Sequence, residues 1–391
     1  MNSINKPIVI VGSGFAGLNA AINLKNLNCN LPIVVVDSQS QFIFKPLMYE
    51  ILSGEINLWE FFPNFEKIYA KYGITFIKNE VESIDLDEQF LTLKDSTRIN
   101  YQYLVLSTGS TQNTFSIKGV QEHALFFNTL SDLKKLKNYL ENSKNTLKKK
   151  KLAIIGAGPS GVELACKIHD SYKNFEILLF EASNEILGNS KVFNREEGEK
   201  ALNLRGIKIL KKSLVEEVSE KSLIIKNKQN EFISYEHDGV IWTAGVKPIL
   251  PNIFNNLQKE KERILVNEKL QTHQYGNVFA VGDISIIEGF EDLQVNAQKA
   301  MQQGDHVAKN INLLISDKDL IPFEYKDNGE MISLGIGYAS ISGLGITMSG
   351  KFAFDLRRLI YASKMPLLET SFKSAASWLI SKKPDLANFF R

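Results

Sequence analysis

Cysteine is almost missing from this chain: two among 391 residues, Cys29 and Cys166, far apart and in no paired spacing. That scarcity excludes a disulfide-stapled scaffold, a cysteine zinc site and a Cys-x-x-Cys redox motif. The five histidines (His123, His169, His237, His273 and His306) form no His-Glu-x-x-His or other short metal-ligand array. An excess of one charge is missing too. With 46 Lys and Arg against 44 Asp and Glu, the net charge is +2, which gives no whole-chain case for nucleic acid. Hydrophobic residues at 44% and charged residues at 23% are ordinary for a globular protein and argue against intrinsic disorder. The length suits two or three domains. A cofactor-using enzyme survives these exclusions.

Targeting signals are equally scarce. Met1–Lys6 is polar, an apolar run starts at Pro7, and no charged leader with its own apolar core precedes a cleavage site, so no secretory signal is expected. The longest stretch without Asp, Glu, Lys or Arg is Met331–Gly350, 20 residues. It holds Gly335, Gly337, Gly343, Gly345, Gly350 and four serines, so it reads as strand and turn rather than a membrane span.

What is present is a repeated fingerprint. Lys6–Val11 is an apolar strand that runs into Gly12-Ser-Gly14-Phe15-Ala16-Gly17. Leu18, Ala21, Ile22, Leu24 and Leu27 then follow at helical spacing, and strand Ile33–Val36 ends at Asp37-Ser38, with Asp37 25 residues after Gly12. This is a complete βαβ dinucleotide-binding pattern. Gly12 makes the turn, Gly14 lets the backbone approach a pyrophosphate, and Gly17 packs helix on strand. The helix N-terminus offers free N–H groups to phosphate, and Asp37 can accept ribose hydroxyls. The pattern recurs at Gly156-Ala-Gly158-Pro159-Ser160-Gly161, with Val162, Leu164, Ala165 and Ile168 on the helix and Ile177–Phe180 ending at Glu181, again 25 residues on. A lone glycine motif is a common turn; two copies in register with strand, helix and acid imply two dinucleotides. Between them, the lysine-rich stretch 128–151 reads as a solvated helix and linker, not a nucleic-acid site.

Shorter motifs extend the pattern. Leu104-Val-Leu-Ser-Thr108-Gly109 and Ile241-Trp-Thr-Ala244-Gly245-Val-Lys-Pro248 resemble the crossover segments of two-dinucleotide flavoproteins, which join an FAD domain to an inserted NAD(H) domain. Asn277-Val-Phe-Ala-Val-Gly282-Asp283-Ile284 resembles their late strand, whose aspartate contacts the flavin ribityl–phosphate region. Within that superfamily the chain resembles the type II NADH dehydrogenases, the single-subunit NADH:quinone oxidoreductases of cyanobacterial type. Phe42-Ile-Phe-Lys45-Pro46-Leu-Met-Tyr-Glu50, Ala297-Gln298-Lys-Ala-Met-Gln302-Gln303 and Leu356-Arg-Arg-Leu-Ile-Tyr361 carry the likeness. The Met48 and Lys299 positions depart from the family pattern and leave quinone preference open.

The resemblance implies an α/β fold of two Rossmann-like domains. An FAD domain would span 1–115 and 246–325, an NAD(H) domain 116–245, and a membrane-associating region 326–391. It implies FAD and NADH as cofactors, with Glu163 near the nicotinamide and Gln298 and Gln302 near flavin and quinone. The implied reaction passes hydride from NADH to FAD and two electrons to a membrane quinone of plastoquinone, menaquinone or demethylphylloquinone type, without proton pumping. Gln298 and Gln302 share a helical face and would donate hydrogen bonds without adding charge; capping or solvent contact is the plain alternative. For Glu163 that alternative is an acid in the first helical turn, stabilised by the dipole. Cys166, among apolar residues, reads as a packing cysteine, so thiol chemistry is not expected.

The charge is unevenly placed. Residues 351–391 carry eight Lys and Arg against three Asp and Glu, a +5 tail on a slightly acidic body. Leu368, Phe372, Ala375, Ala376 and Leu379 share one helical face with Trp378 at its edge. That describes a basic amphipathic helix lying on an anionic membrane surface, on the cytoplasmic side. Packing on its own chain or in a homodimer is the alternative. Two other functions remain in view: a soluble ferredoxin- or rubredoxin-type reductase, and an FAD- and NADH-binding redox sensor with little turnover.

The acid at Glu181 predicts NADH preference, because a carboxylate accepts a free 2′-hydroxyl and repels a 2′-phosphate. Glu181→Gln should raise the NADPH/NADH ratio of kcat/KM by about tenfold, the equivalent of about 1.4 kcal/mol. An unchanged ratio in steady-state assays would remove Glu181 from nucleotide selection.

Overall fold

The computed structural model describes residues 6–56, 62–144, 148–291 and 293–366. The chain divides into two compact units. The first comprises Met1–Phe42, Pro63–Thr111 and Val246–Lys326; the second comprises Ile43–Phe62, Gln112–Gly245 and Asp327–Arg391. Each centres on a five-stranded parallel sheet, the Rossmann-like arrangement that the paired fingerprints predict.

In the first unit the spatial order is Val278–Ala280, Tyr103–Leu106, Ile8–Val11, Ile33–Asp37 and Thr75–Lys78, every neighbouring pair parallel. Parallel sheets covered on both faces favour unbroken apolar strands, and Ile8–Val11 is buried at every position. The helix Phe15–Asn26 crosses back over the sheet with Leu18, Ala21 and Leu24 buried. Ile22 is half-buried, and Leu27 lies exposed at the C-cap, so the buried face is narrower than its periodicity suggests.

The second unit repeats the plan with Lys208–Leu210, Phe175–Phe180, Lys150–Ile155, Gly239–Trp242 and Ala124–Leu125 in parallel order. Ile155, Phe180 and Trp242 pack with Val215, Leu223 and Ile225 of an antiparallel meander. That meander runs through Leu214–Val218, Ser222–Lys226 and Phe232–Glu236, and the first unit carries its own through Val81–Asp85, Phe90–Leu93 and Arg98–Asn100. The lysine-rich stretch holds the helix Leu130–Ser143, whose N-terminus is a reciprocal capping box between Thr129 and Asp132.

The glycine-rich stretch 331–350 forms antiparallel strands, Glu330–Ser333, Ala339–Gly343 and Ile346–Gly350, as its composition predicts. Helix Lys351–Ser363 follows and buries Ala353 and Phe354 against Ala339. No helix among the described residues is long and apolar enough to cross a membrane. The amphipathic segment predicted around Leu368–Leu379 lies outside the described residues.

One helix–helix contact in the first unit is set by a glycine. Gly304 of helix Ala297–Ile315 lies against helix Phe15–Asn26 so closely that a Cβ there would sit 2.2 Å from the Ala16 carbonyl oxygen. Backbone cannot yield as a side chain does. Gly304→Ala should therefore cost about 1–3 kcal/mol, read as a lowered Tm; an unchanged Tm would show that the two helices can separate freely.

Candidate functional site

The two glycine loops are one structure built twice. Gly12 and Gly156 both adopt φ +97°, and a Cβ on either would strike the neighbouring strand's end, at Ser107 or Ala244. A Cβ on Gly17 would lie 2.0 Å from the Gly12 carbonyl oxygen, and one on Gly161 1.9 Å from that of Gly156. Gly14 and Gly158 are different: nothing lies within 4 Å of the site where a Cβ would be. They are the N-caps of helices Phe15–Asn26 and Pro159–Ser171, neither of which has a side-chain cap bond. The first-turn N–H groups of Phe15 and Ala16, and of Ser160 and Gly161, thus front an open cradle. That arrangement fits a pyrophosphate in each unit.

Each loop is clamped by the acid at the end of its second strand. Asp37 accepts the N–H groups of Ser13 at 2.6 Å and Gln39 at 2.7 Å; Glu181 accepts those of Ala157 at 2.7 Å and Ser183 at 2.8 Å. Burial raises the Asp37 pKa, against the pull of the Gln39 and Ser13 N–H groups. A hydroxyl on each crossover strand completes the loop. Ser107 donates to the Val11 and Gly12 carbonyls, Thr243 to those of Ile155 and Gly156. Ser107 and Thr243 were not singled out from the sequence, although both immediately precede the quoted Thr108-Gly109 and Ala244-Gly245 pairs. Beside Glu181, a surface hollow is lined by Ala182, Asn184, Lys212, Lys226 and Lys228.

Other predicted cofactor residues fall near these loops. Phe15 meets Phe42 edge-on at 5.2 Å, and Ser38 accepts a bond from the Gln39 amide. Thr108 Oγ1 donates to the Ile249 carbonyl; Gly109 and Gly245 both have positive φ. Gly282, at φ +77°, presses toward Ala16, and Asp283 accepts the Ser110 hydroxyl at 2.5 Å. Lys45 and Pro46 belong to the second unit, where Lys45 bonds Asn128 at 2.7 Å and the Pro46 carbonyl accepts Arg357. Ser160 accepts the Tyr49 hydroxyl at 3.0 Å.

Helix Ala297–Ile315 presents two adjacent faces. Gln302 is tied to the Lys326 backbone in both directions, donating at 2.8 Å and accepting at 2.9 Å, with Gln298 3.5 Å away. The next face was not read from the sequence as a site. Gln303, fully buried, accepts the Gly282 N–H at 2.7 Å, and one turn earlier Lys299 is 3% exposed.

The second unit also holds a buried charge cluster. Arg357 of helix Lys351–Ser363 is fully buried and donates to Glu50, to the Pro46 carbonyl at 2.7 Å and to Glu163 at 3.4 Å. Lys167 pairs with Glu55, with Glu50 4.0 Å away. Burial acts to raise both buried acids, but they separate. Arg357 and Lys167 outweigh it at Glu50 and hold that carboxyl below its ordinary range. At Glu163 burial prevails over Arg357 and the Ser333 N–H, and the pKa rises to about 7. Glu163 is the fifth residue of its helix, one turn in, so a first-turn dipole does not govern it. Cys166 is fully buried with its pKa raised by burial to about 12, the packing residue expected; Cys29 is buried and free.

Two nucleotide cradles with clamped acids define a two-dinucleotide oxidoreductase. The comparisons carry this to a family. A model of the pyridine nucleotide-disulphide oxidoreductases matches residues 6–304. The chain is 32% identical to demethylphylloquinone reductase NdbB of Synechocystis sp., covering 97% of both chains. It is 30% identical to an alternative NAD(P)H-ubiquinone oxidoreductase C1 of Arabidopsis thaliana, covering 97% of this chain and 81% of that one. In structure it superposes on NDH2 of Plasmodium falciparum with a TM-score of 0.86, at 18% identity over 97% of this chain and 99% of that one. The chain belongs to the pyridine nucleotide-disulphide oxidoreductases, and within them to the type II NADH:quinone oxidoreductases, as its motifs suggested.

The raised Glu163 gives a pH signature. Between pH about 4.5 and about 7 the native carboxyl binds a proton that the unfolded one releases, so its contribution to stability falls as pH rises through that window. Glu163→Gln should abolish this part of the slope, on the order of 1–3 kcal/mol. Thermal unfolding of parent and variant across pH measures it; parallel curves would place Glu163 near its unfolded value.

Proposed function

We propose that this chain is an FAD-dependent NADH:quinone oxidoreductase. The doubled, acid-clamped glycine loop is the observation that carries the reading: two cradles of one design, one in each unit, call for two dinucleotides. FAD belongs to the first unit's loop and NADH to the second's. When bound, the flavin accepts a hydride and passes on two electrons; the protein's own groups bind, orient and handle protons. Asp37 and Glu181 hold the loops and offer carboxylate lone pairs to ribose hydroxyls. Asp283, steadied by Ser110, would hold the flavin's ribityl–phosphate region. Gln298 supplies a neutral amide for a quinone carbonyl, and Gln302 fixes the helix beside it through Lys326. Glu163, poised near neutrality, can hold one of the protons that a quinol needs.

The acceptor we favour is a membrane naphthoquinone of demethylphylloquinone type, in line with the name of the Synechocystis relative, with plastoquinone, menaquinone and ubiquinone types as comparisons. Such a quinone dissolves in lipid, and the second unit exposes several large apolar side chains. Leu344, Ile346, Phe352 and Leu359 are all more than half exposed. We place this face on an anionic membrane surface at its cytoplasmic side, as a peripheral attachment; a homodimer is the competing use of the same face.

Purified protein carrying flavin should oxidise NADH with short-chain naphthoquinones and do so far more slowly with ferredoxin. In single-turnover kinetics Gln298→Ala should slow reoxidation by quinone about 10–100-fold while changing reduction by NADH less. Equal effects on both half-reactions would remove Gln298 from the quinone step, and negligible turnover with every quinone would point to a redox sensor.

A further inference from the structure

Lys299 is an unusual residue to find inside a protein. It is 3% exposed, and among the described residues its ammonium makes one hydrogen bond, a long 3.4 Å contact to the Leu293 carbonyl. A buried ammonium has three donors to satisfy and a desolvation cost to offset. One weak acceptor does neither, so the lysine is poorly explained as a stabilising group. Its surroundings suggest another use. The side chains whose charges bear on it are Asp283, which draws it toward the charged form, and Arg263, which opposes that. Lys299 and Gln303 lie one helical turn apart, on the same face of helix Ala297–Ile315. Gln303 holds the Gly282 N–H, and its own amide nitrogen is buried with no partner among the described residues. This face therefore holds the backbone of Gly282, next in the chain to Asp283, whose carboxylate accepts the Ser110 hydroxyl.

We propose that Lys299 is a positioning residue of the flavin site: a buried cation that acts through Asp283 and sets how readily the first unit accepts negative charge. This rests on the assignment of FAD to that unit. A hydride accepted by FAD held there would add one negative charge to the unit that buries Lys299. A fixed, buried cation lowers the energy of that charge more than the same cation would in solvent. Burial also brings the Lys299 pKa down to about 8, with Asp283 opposing and Arg263 adding to the shift. Added negative charge raises it again. Above about pH 8 reduction is therefore accompanied by proton uptake at Lys299, and the midpoint potential falls more steeply with pH than below it.

The test is redox titration of the flavin-loaded protein against an indicator dye, for the parent, Lys299→Met and Lys299→Arg. In Lys299→Met the ratio of reduced to oxidised flavin at a fixed potential should fall about tenfold, a shift of about 30 mV for a two-electron couple. Its Tm should hold or rise, since methionine fills the space without the charge; a purely structural lysine would give the opposite, a lower Tm at an unchanged potential. Lys299→Arg should restore the potential and lose the extra pH dependence, because arginine stays charged. A parent-like potential in Lys299→Met overturns the inference. If Lys299→Met does not fold, the parent's potential measured from pH 6 to pH 10 decides: a slope that does not steepen above about pH 8 overturns it. A parent that holds no flavin would instead overturn the assignment of FAD.

Discussion

Much of this structure depends on one carboxylate contact made twice. A parallel strand delivers an acid to its C-terminal end, and that acid accepts the N–H of the residue after the first glycine. The loop so held cannot splay outward, and the N-terminus of the following helix stays aimed at one place. A backbone N–H pinned this way is also unavailable to a phosphate, and the open space lies one turn on, at Gly14 and Gly158, where no side chain stands. The acid thus shapes the cradle before any ribose reaches it.

The three glycines of each fingerprint are distinguishable by what surrounds them. Gly12 and Gly156 need left-handed backbone beside a neighbouring strand, and Gly17 and Gly161 leave no room for a methyl group between helix and loop. Gly14 and Gly158 have space all around and serve what binds there. Ser107 and Thr243 bond the same two carbonyls in their respective loops, which keeps strand ends and loops at one spacing in both units.

The second unit shows how a single cation can divide two acids. Arg357 bonds Glu50 closely and Glu163 at longer reach, and its field is spent mostly on Glu50. Glu163, equally buried, keeps a carboxyl that changes charge near neutral pH. A second cation as close to Glu163 as Arg357 is to Glu50 would have left both ionised. Buried ion pairs are weak sources of stability, and this one serves better as a way of setting a proton's affinity.

Both Rossmann-like sheets could be read directly from the chain, because parallel strands covered on both faces leave a continuous apolar run and the fingerprint ties each glycine to a local task. The acids Asp37 and Glu181 were legible for the same reason, lying a fixed 25 residues along a standard unit. The strand-and-turn character of Met331–Gly350 followed from its glycines and serines. What could not be read were contacts made between distant segments. Nothing in the run Leu356-Arg-Arg-Leu says that Arg357 will meet Glu50 and Glu163, 307 and 194 residues away. Nothing in Ala297-Gln-Lys-Ala says which face of the helix turns inward, since helical spacing defines faces but not their direction. The sequence by itself determined the two nucleotide modules and their local chemistry, because those rest on neighbours in the chain. Only the tertiary structure decided that Glu163 titrates near neutrality, that Gln302 bonds the Lys326 backbone and that Lys299 is buried, because charge and burial depend on which remote groups arrive.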